Sequence, residues 1–302
     1  MMQMNSMKDC EAYIAEKAKV VGDALQRYMS DLSGAPQLMQ SAMSYSLLSG
    51  GKHIRPVLLL AANDMLGGRD NRALPFACAL EMIHVYSLIH DDLPAMDNDA
   101  LRRGKPSNHI VYGEAVAILA GDALLNLAYE VMISECISQG PSALFTAQYI
   151  AEAAGCRGMI GGQCLDIAAT GQFTDEEGLR DMHMKKTGAL LKAAVLSGIA
   201  LNNPSDDVID AMRTYGYHIG MLFQITDDIL DCVGCTEELG KSVGKDREEN
   251  KTTYVTLHGV DRARELAQDH ADKAVVALTG IGGIKGVEFF RLLVQYILER
   301  KK

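Results

Sequence analysis

The chain has 302 residues, 48% of them hydrophobic, so it can bury one large core. A net charge of −10, no tryptophan and only 6% aromatic residues argue against a surface that binds nucleic acid. Seven cysteines without a disulfide framework favour reduced thiols in a cytosolic protein. No Pro/Gly/Ser-rich linker or repeat divides the sequence, which predicts a single domain over residues 1–302.

Targeting signals are not evident in the sequence. The N-terminal stretch MMQMNSMKDCEAYIAEK lacks the basic segment and following apolar run of a secretory signal. No stretch of about 18 uncharged apolar residues occurs, so we expect no membrane span. These observations predict a cytoplasmic location.

Helical periodicity runs through most of the chain. Apolar residues recur at helical spacing from Lys8 to Ser30. Further helices are predicted over residues 37–48, 71–92, 114–137, 142–159, 175–200, 260–278 and 283–300. No longer segment shows the alternation of a β-strand, so we expect an all-α fold, a large single-domain helical bundle.

A glycine pair, Gly50 and Gly51, ends the second predicted helix, and the segment GKHIRPVLLLAA follows. Lys52 and Arg55 lie in a loop just before a buried helix, a position from which they could reach a phosphate. Two exposed cations on a loop would give the same pattern. The stretch alone leaves both interpretations open.

The densest cluster of charge lies in His84–Pro106, which reads HVYSLIHDDLPAMDNDALRRGKP. Four aspartates fall within nine positions: Asp91, Asp92, Asp97 and Asp99. Carboxylates at this density repel one another unless cations neutralise them, although a solvated loop with internally paired charges is the alternative. Oxygen ligands without Cys or His favour Mg²⁺ or Ca²⁺, and Mg²⁺ commonly shares its shell with substrate phosphates.

A second acidic run, Phe223–Asp231, reads FQITDDILD. Asp227 and Asp231 share one helix face, Gln224 joins them at i−3, and Asp228 is adjacent. Two acidic helix ends that face each other could hold several metal ions.

These two aspartate-rich motifs, with GGKHIRP before them, resemble those of the trans-type isoprenyl diphosphate synthases over about residues 47–257. The spacing from Asp91 and Asp92 to Asp97 is two residues longer than D-D-x-x-D, as in bacterial farnesyl and in plant and bacterial geranylgeranyl diphosphate synthases. The resemblance implies a helical bundle around a central cavity, with both motifs at its mouth. It further implies Mg²⁺, three ions with substrate bound, and a homodimer.

The resemblance also implies roles for individual residues. Isopentenyl diphosphate would be bound by Lys52, Arg55, His84 and Arg103. The allylic diphosphate would be bound by Arg102, Lys186 and Lys241. The reacting carbons would lie beside Lys186, Thr187 and Gln224. The metal ligands would be Asp91, Asp92, Asp97, Asp227, Asp228 and Asp231. One position departs from the family pattern, since Ala100 stands where many relatives carry another aspartate.

The implied reaction is Mg²⁺-assisted ionisation of an allylic diphosphate, dimethylallyl or geranyl, followed by addition of isopentenyl diphosphate. Product length is set, by the same resemblance, at the residues four and five positions before the first aspartate, Ser87 and Tyr86. Helix geometry alone puts Tyr86 about 140° from the direction of Asp91, so its place beneath the substrate tail is implied by the resemblance only. A tyrosine there favours the C15 product, farnesyl diphosphate, over C20.

Three alternatives stay open at this point. A class I terpene cyclase also uses an aspartate-rich motif, but it would not need a second diphosphate site built from Lys52, Arg55 and Arg103. A noncatalytic subunit of a heteromeric synthase would have lost part of one motif, and both motifs are intact here. A synthase with a longer product, geranylgeranyl diphosphate, is the third.

Overall fold

The structure is a computed structural model that describes residues 4–233 and 251–300. Its α-helices in chain order are α1 (Met7–Ser30), α2 (Gln37–Leu47), α3 (Ile54–Met65), α4 (Asp70–Asp91), α5 (Asn108–Tyr112), α6 (Glu114–Gln139), α7 (Pro141–Ala154), α8 (Met159–Ala169), α9 (Glu176–His183), α10 (Ala189–Ala200), α11 (Asp206–Val233), α12 (Tyr254–His258), α13 (Val260–Ala277) and α14 (Val287–Glu299). A π-helical turn, Met184–Gly188, joins α9 to α10, and a 3₁₀ turn, Thr279–Ile281, follows α13.

The predicted all-α fold is confirmed. Within the described ranges the only strands are β1 (Leu101–Arg102) and β2 (Lys105–Pro106), which pair antiparallel in a small hairpin. At the centre of the bundle, α10 packs against α3, α7 and α11, while α4 packs against α3 and α6. The side chains of α10 are mostly apolar and buried on nearly all sides, which explains why this helix shows no amphipathic pattern in the sequence.

Two predicted helices are interrupted. The helix expected over residues 142–159 ends at Ala154, because Gly155 and Gly158 stand in extended or irregular backbone before α8 begins. The helix expected over residues 175–200 is broken by the π-helical turn. Both interruptions lie next to the cavity described below, and local periodicity gave no sign of either.

By length and composition, α4 and α6 are apolar enough to cross a membrane. The most apolar window of α4 is 67% buried inside the bundle, and that of α6 is 39% buried. Such helices are weak evidence for a span, because core helices of water-soluble proteins pass the same test. The absence of a membrane span therefore stays a prediction.

Candidate active site

Glycines let three helical elements approach one another around the π-helical turn. A Cβ on Gly162 of α8 would overlap the backbone of Lys186, and a Cβ on Gly220 of α11 would come within 2.8 Å of the Cα of Gly188. Side chains at these positions would push the π-helical turn away from α8 and α11. The glycines thus hold Lys186 and Thr187 at the edge of a cavity.

That cavity has a volume of about 560 Å³ and is lined mainly by apolar atoms of α4, α6 and α8. Ile160, Cys164 and Ile167 present one face of α8 to it, and Leu125 contributes from α6. The side-chain amide of Gln163 also lines it, and both polar atoms of that amide are buried without a protein partner. An apolar space with a few polar groups at one end suits an elongated lipid-like substrate with a charged head.

Tyr86 and Ser87, the residues expected to limit product length, both line this cavity. The Tyr86 ring is buried, packs edge-on against the His90 ring at 5.7 Å between centroids, and its hydroxyl has no hydrogen-bond partner. His90 Nε2 donates to the Ile118 carbonyl at 3.0 Å, and a Cβ on Gly121 would overlap the His90 ring. The position of the Tyr86 ring is therefore fixed by apolar packing alone.

The first aspartate motif closes on itself through a turn. The Asp97 N–H donates to the Asp91 carbonyl at 2.9 Å, which brings the two residues together. Burial, reinforced by the charges of Asp97 and Asp92, raises the pKa of the Asp91 carboxyl to about 6, despite the opposing effect of Lys186. This carboxylate is thus incompletely neutralised by the protein's own cations.

Asp92 is placed differently from Asp91. It is buried, and Arg102 donates to its carboxylate from both Nε, at 3.0 Å, and a terminal nitrogen. The hairpin of β1 and β2 holds Arg102 in place, because its two-residue turn places both Arg103 and Gly104 at positive φ. Ala100 lies just before this hairpin, exposed, and its carbonyl accepts from the Ser107 N–H at 2.9 Å.

Lys186 belongs to a charged cluster at the mouth of the cavity. Its Nζ lies 2.6 Å from the Asp166 carboxylate, and Lys251 Nζ lies 3.7 Å from Asp166 and 3.9 Å from Asp97. Burial raises the pKa of Asp166, but Lys186 and Lys251 outweigh it and leave that pKa lowered. The cluster joins the first aspartate motif to the Lys-Thr pair that the sequence analysis singled out.

The second aspartate motif occupies the last turns of α11. Asp227 accepts from Arg300 at 2.6 Å, and Asp228 accepts from the Tyr254 N–H at 2.9 Å and from the Gln224 amide at 3.3 Å. The Asp231 side chain is buried. Gln224 is therefore held against its own motif, and it does not line the apolar cavity.

A second cavity, of about 240 Å³, adjoins the first, and Arg55 and His84 line both. It brings together all four residues expected at the isopentenyl diphosphate site, Lys52, Arg55, His84 and Arg103. Arg55 donates to His84 Nε2 at 3.3 Å, and its Nε is buried without a partner. Burial and the Arg55 charge hold the pKa of His84 well below its ordinary value, so the imidazole is neutral and can accept this bond.

Glu81 and Gly51 complete the walls of this cationic cavity. His53 donates to Glu81 at 2.8 Å, and this bond with nearby cations lowers the pKa of Glu81 to about 2 despite the opposing effect of burial. A Cβ on Gly51 would come within 3.0 Å of the Arg103 guanidinium, which lies against the GGK loop. The missing side chain at Gly51 leaves room for that guanidinium.

The donor atoms of the two motifs suit a hard divalent metal ion. Among residues 4–233 and 251–300, no three carboxylate, histidine or cysteine side chains converge closely enough to hold a metal ion. The available donors are all carboxylate oxygens, as Mg²⁺ prefers, and substrate phosphates commonly supply much of its shell. The incompletely neutralised Asp91 beside Asp97 fits such an ion. The roles of the six aspartates stay predictions, and Lys241 lies outside the described residues.

Arg300 is the residue of this site that sequence analysis missed. It joins Asp227 to the cationic cavity, which it also lines. No local motif surrounds it, and it is 73 positions from its partner.

Comparison with known proteins matched the polyprenyl synthetase family model over residues 36–277. The chain is 43% identical over 299 residues to the large subunit 1 of a heterodimeric geranylgeranyl pyrophosphate synthase of Arabidopsis thaliana, covering 97% of this chain and 80% of that protein. A geranyltransferase structure from Legionella pneumophila is similar with a TM-score of 0.87, 34% identity and coverage of 98% and 99%. An FPP/GFPP synthase structure from Zymomonas mobilis is similar with a TM-score of 0.86 and 32% identity, and the match covers 97% of this chain and 100% of that one.

Proposed function

Because the chain belongs to the polyprenyl synthetase family and is a short-chain trans-prenyltransferase, we propose that it makes farnesyl diphosphate from isopentenyl diphosphate and dimethylallyl or geranyl diphosphate. The observation that carries the proposal is the pair of adjoining cavities that share Arg55 and His84. One is cationic and suits a diphosphate, and the other is apolar and suits a prenyl tail. A terpene cyclase has no use for the cationic cavity.

The chain's own residues can be assigned to the steps of this reaction. Arg102 and Lys186 stabilise the charge that develops on the allylic diphosphate as its carbon–oxygen bond breaks. Asp91, Asp97 and Asp227 would hold Mg²⁺, which would supply further positive charge to the leaving group. The apolar walls exclude water from the resulting carbocation, and the oxygens of Thr187 and Gln163 can stabilise it.

The homoallylic substrate is held beside that cation. Lys52, Arg55 and Arg103 neutralise the diphosphate of isopentenyl diphosphate, and the neutral His84 orients Arg55 by accepting its hydrogen bond. Because Arg55 and His84 line both cavities, the double bond can lie close to the allylic carbon. Among the residues that the structure describes, none is suited to remove the proton, and the family resemblance assigns that step to the departing diphosphate.

The function is tested by incubating purified protein with Mg²⁺, isopentenyl diphosphate and each allylic diphosphate in turn, and then sizing the products. We expect dimethylallyl and geranyl diphosphates to be extended to C15.

Substitution of Arg55 with Ala should raise KM chiefly for isopentenyl diphosphate, and an effect on the allylic substrate alone would contradict the division into two sites. Linear products that stop at C20 would replace farnesyl with geranylgeranyl diphosphate. Cyclic products from one allylic substrate would support the cyclase instead.

The C15 product is proposed from Tyr86, since the named relatives point both ways. The Arabidopsis protein is called a geranylgeranyl pyrophosphate synthase subunit, whereas the Zymomonas structure is called an FPP/GFPP synthase. Tyr86→Ala would leave a void in the apolar cavity, and each buried methylene of a longer tail gains about 0.8 kcal/mol there. We expect the products to shift to C20 and longer, measured by chromatography of the dephosphorylated alcohols.

Tyr86→Phe is the matched control for this variant. It keeps the ring and removes a hydroxyl that has no partner, so the products should not change. If Tyr86→Ala is fully active with an unchanged product distribution, Tyr86 does not limit the chain and the preference for C15 fails.

We further propose that the chain forms a homodimer through α6 and α7. These helices expose large apolar side chains to solvent, among them Leu119, Ile133, Ile137, Leu144 and Phe145. Such a surface on a long apolar helix is typical of a protein–protein interface. Light scattering should give twice the monomer mass, and Ile137→Asp should weaken the association. A monomeric wild-type protein would contradict the proposal, as would a requirement for a different subunit like that of the Arabidopsis relative.

A further inference from the structure

Arg300 follows α14 and makes three contacts with the second aspartate motif. Its guanidinium lies 2.6 Å from an Asp227 carboxylate oxygen, donates to the Phe223 carbonyl at 2.8 Å and stacks over the Phe223 ring at 4.0 Å. The Arg300 side chain is only 9% exposed. A guanidinium in this setting is an ordered counter-cation of Asp227 and not a freely moving surface group.

The same guanidinium lines the cationic cavity beside Lys52, Arg55 and Arg103. Four cations therefore share one cavity of about 240 Å³. The buried carboxylate of Glu81, which accepts from His53, offsets part of the charge of Arg55 and Arg103. Asp227 holds one of the four positive charges on the motif side of the cavity.

Asp227 is also one of the aspartates assigned to Mg²⁺. A divalent cation and a guanidinium that approach the same carboxylate repel each other, and their repulsion is strong where little water screens it. A metal ion at Asp227 therefore weakens the Arg300 contact. The backbone anchor on α14 keeps the released side chain at the cavity wall, within reach of a second anion.

We propose that Arg300 is a positioning residue that couples the two sites: it neutralises Asp227 in the free enzyme and turns to the isopentenyl diphosphate when a divalent metal binds Asp227. This inference rests on the proposed function of the cationic cavity. Binding linkage is reciprocal, so the metal should tighten binding of isopentenyl diphosphate by the same factor as isopentenyl diphosphate tightens binding of the metal. Arg300 thereby makes the two sites fill together.

The test compares Arg300→Gln with wild type by calorimetry, without an allylic substrate. Isopentenyl diphosphate is titrated with and without Mg²⁺, and Mn²⁺ binding to the ligand-free protein is followed by its electron spin resonance signal. In Arg300→Gln we expect metal to bind about three- to fivefold more tightly, because its competitor is gone. Isopentenyl diphosphate in the presence of metal should bind several-fold more weakly. Mg²⁺ also binds isopentenyl diphosphate in solution, but this affects the titrations of both proteins equally and so cancels when their affinities are compared.

Opposite changes of the two affinities distinguish coupling from a structural role, which would weaken both. Arg291 also belongs to α14, but it pairs with Glu288 on the surface, so Arg291→Gln should leave both affinities unchanged. Arg300→Lys keeps the charge and should restore most of the coupling, and it serves as the second variant if Arg300→Gln does not fold. Unchanged or jointly weakened affinities in Arg300→Gln overturn the inference. If wild-type protein does not bind isopentenyl diphosphate at all, the proposed function itself fails.

Discussion

The two aspartate motifs are neutralised in different ways. The first folds back through a turn, and its cations come from Arg102 in the adjacent hairpin and from Lys186 and Lys251 at the cavity mouth. The second lies on a straight helix, and Asp227 pairs with Arg300, which is 73 residues away. The first motif is thus tied to the apolar cavity, where we propose the allylic substrate binds, and the second to the cationic cavity proposed for isopentenyl diphosphate.

In both motifs, the two adjacent carboxylates have different environments. In each, the second aspartate is buried and accepts hydrogen bonds from the protein, Asp92 from Arg102 and Asp228 from the Tyr254 N–H. Asp91 and Asp227 are less committed to the fold. An adjacent aspartate pair therefore combines a carboxylate that supports the local structure with one that can serve a ligand, and the metal role of Asp92 and Asp228 stays a prediction.

The largest effect is expected for the leading aspartates. Asp91→Ala and Asp227→Ala should each lower kcat by about 10²–10³, since each removes charge stabilisation that grows as the leaving group departs. Steady-state kinetics with saturating substrates measures this. Asp210→Ala, an exposed change on α11, is the control and should keep full kcat. Full activity of either leading variant would remove that motif from the mechanism.

A smaller effect is expected on stability, and it should differ between Asp92 and Asp228, the second aspartates of the two motifs. Asp92→Ala leaves the partly buried Arg102 with only its longer contact to Asp99, at 3.4 Å, and should lower the free energy of unfolding by roughly 2–3 kcal/mol. Asp228→Ala loses hydrogen bonds from uncharged donors, the Tyr254 N–H and the Gln224 amide, and should cost less, about 1.5 kcal/mol. Urea unfolding in excess chelator measures both without interference from metal. Equal losses would mean that the two motifs are built alike.

The smallest effect is a pH dependence peculiar to the first motif. Because the pKa of Asp91 is about 6 in the folded protein and near 4 when unfolded, the folded state binds more protons between these values, and stability falls as pH rises through that window. Metal-free Asp91→Asn should therefore be more stable than wild type at pH 7, by about 1–2 kcal/mol, with the difference vanishing near pH 4.

Asp227→Asn provides the contrast. It loses the ion pair with Arg300 and should be less stable than wild type by at most about 1 kcal/mol. Both variants are measured by chemical unfolding in chelator at pH 4 and pH 7. Changes of the same sign at pH 7 would contradict the different neutralisation of the two motifs.

Much of the fold and site follows from local sequence. The boundaries of α1, α2 and α4 agree with prediction to within one residue, because an apolar stripe or a Gly or Pro stop marks each. Lys52 and Arg55 of GGKHIRP meet His84 and Arg103 in one cavity, as expected. The features that the sequence did not predict depend on contacts between residues far apart in the chain. The π-helical turn depends on Gly162 and Gly220 from other helices, and Arg300 reaches Asp227 only through the packing of α14.

One rigid element, α4, carries His84, Tyr86 and Asp91. From Asp91 back to Tyr86 the helix rises by about 7.5 Å, and one further turn of about 5.4 Å leads to Met82 and Ile83, both fully buried. A helical turn is comparable in length to one five-carbon unit, so side chains one turn apart on α4 are spaced by about the length that one condensation adds to the product. Product size should therefore change by whole five-carbon units as successive side chains along α4 are truncated. The distance from the reacting carbon to each of these positions stays constant, because the helix is rigid.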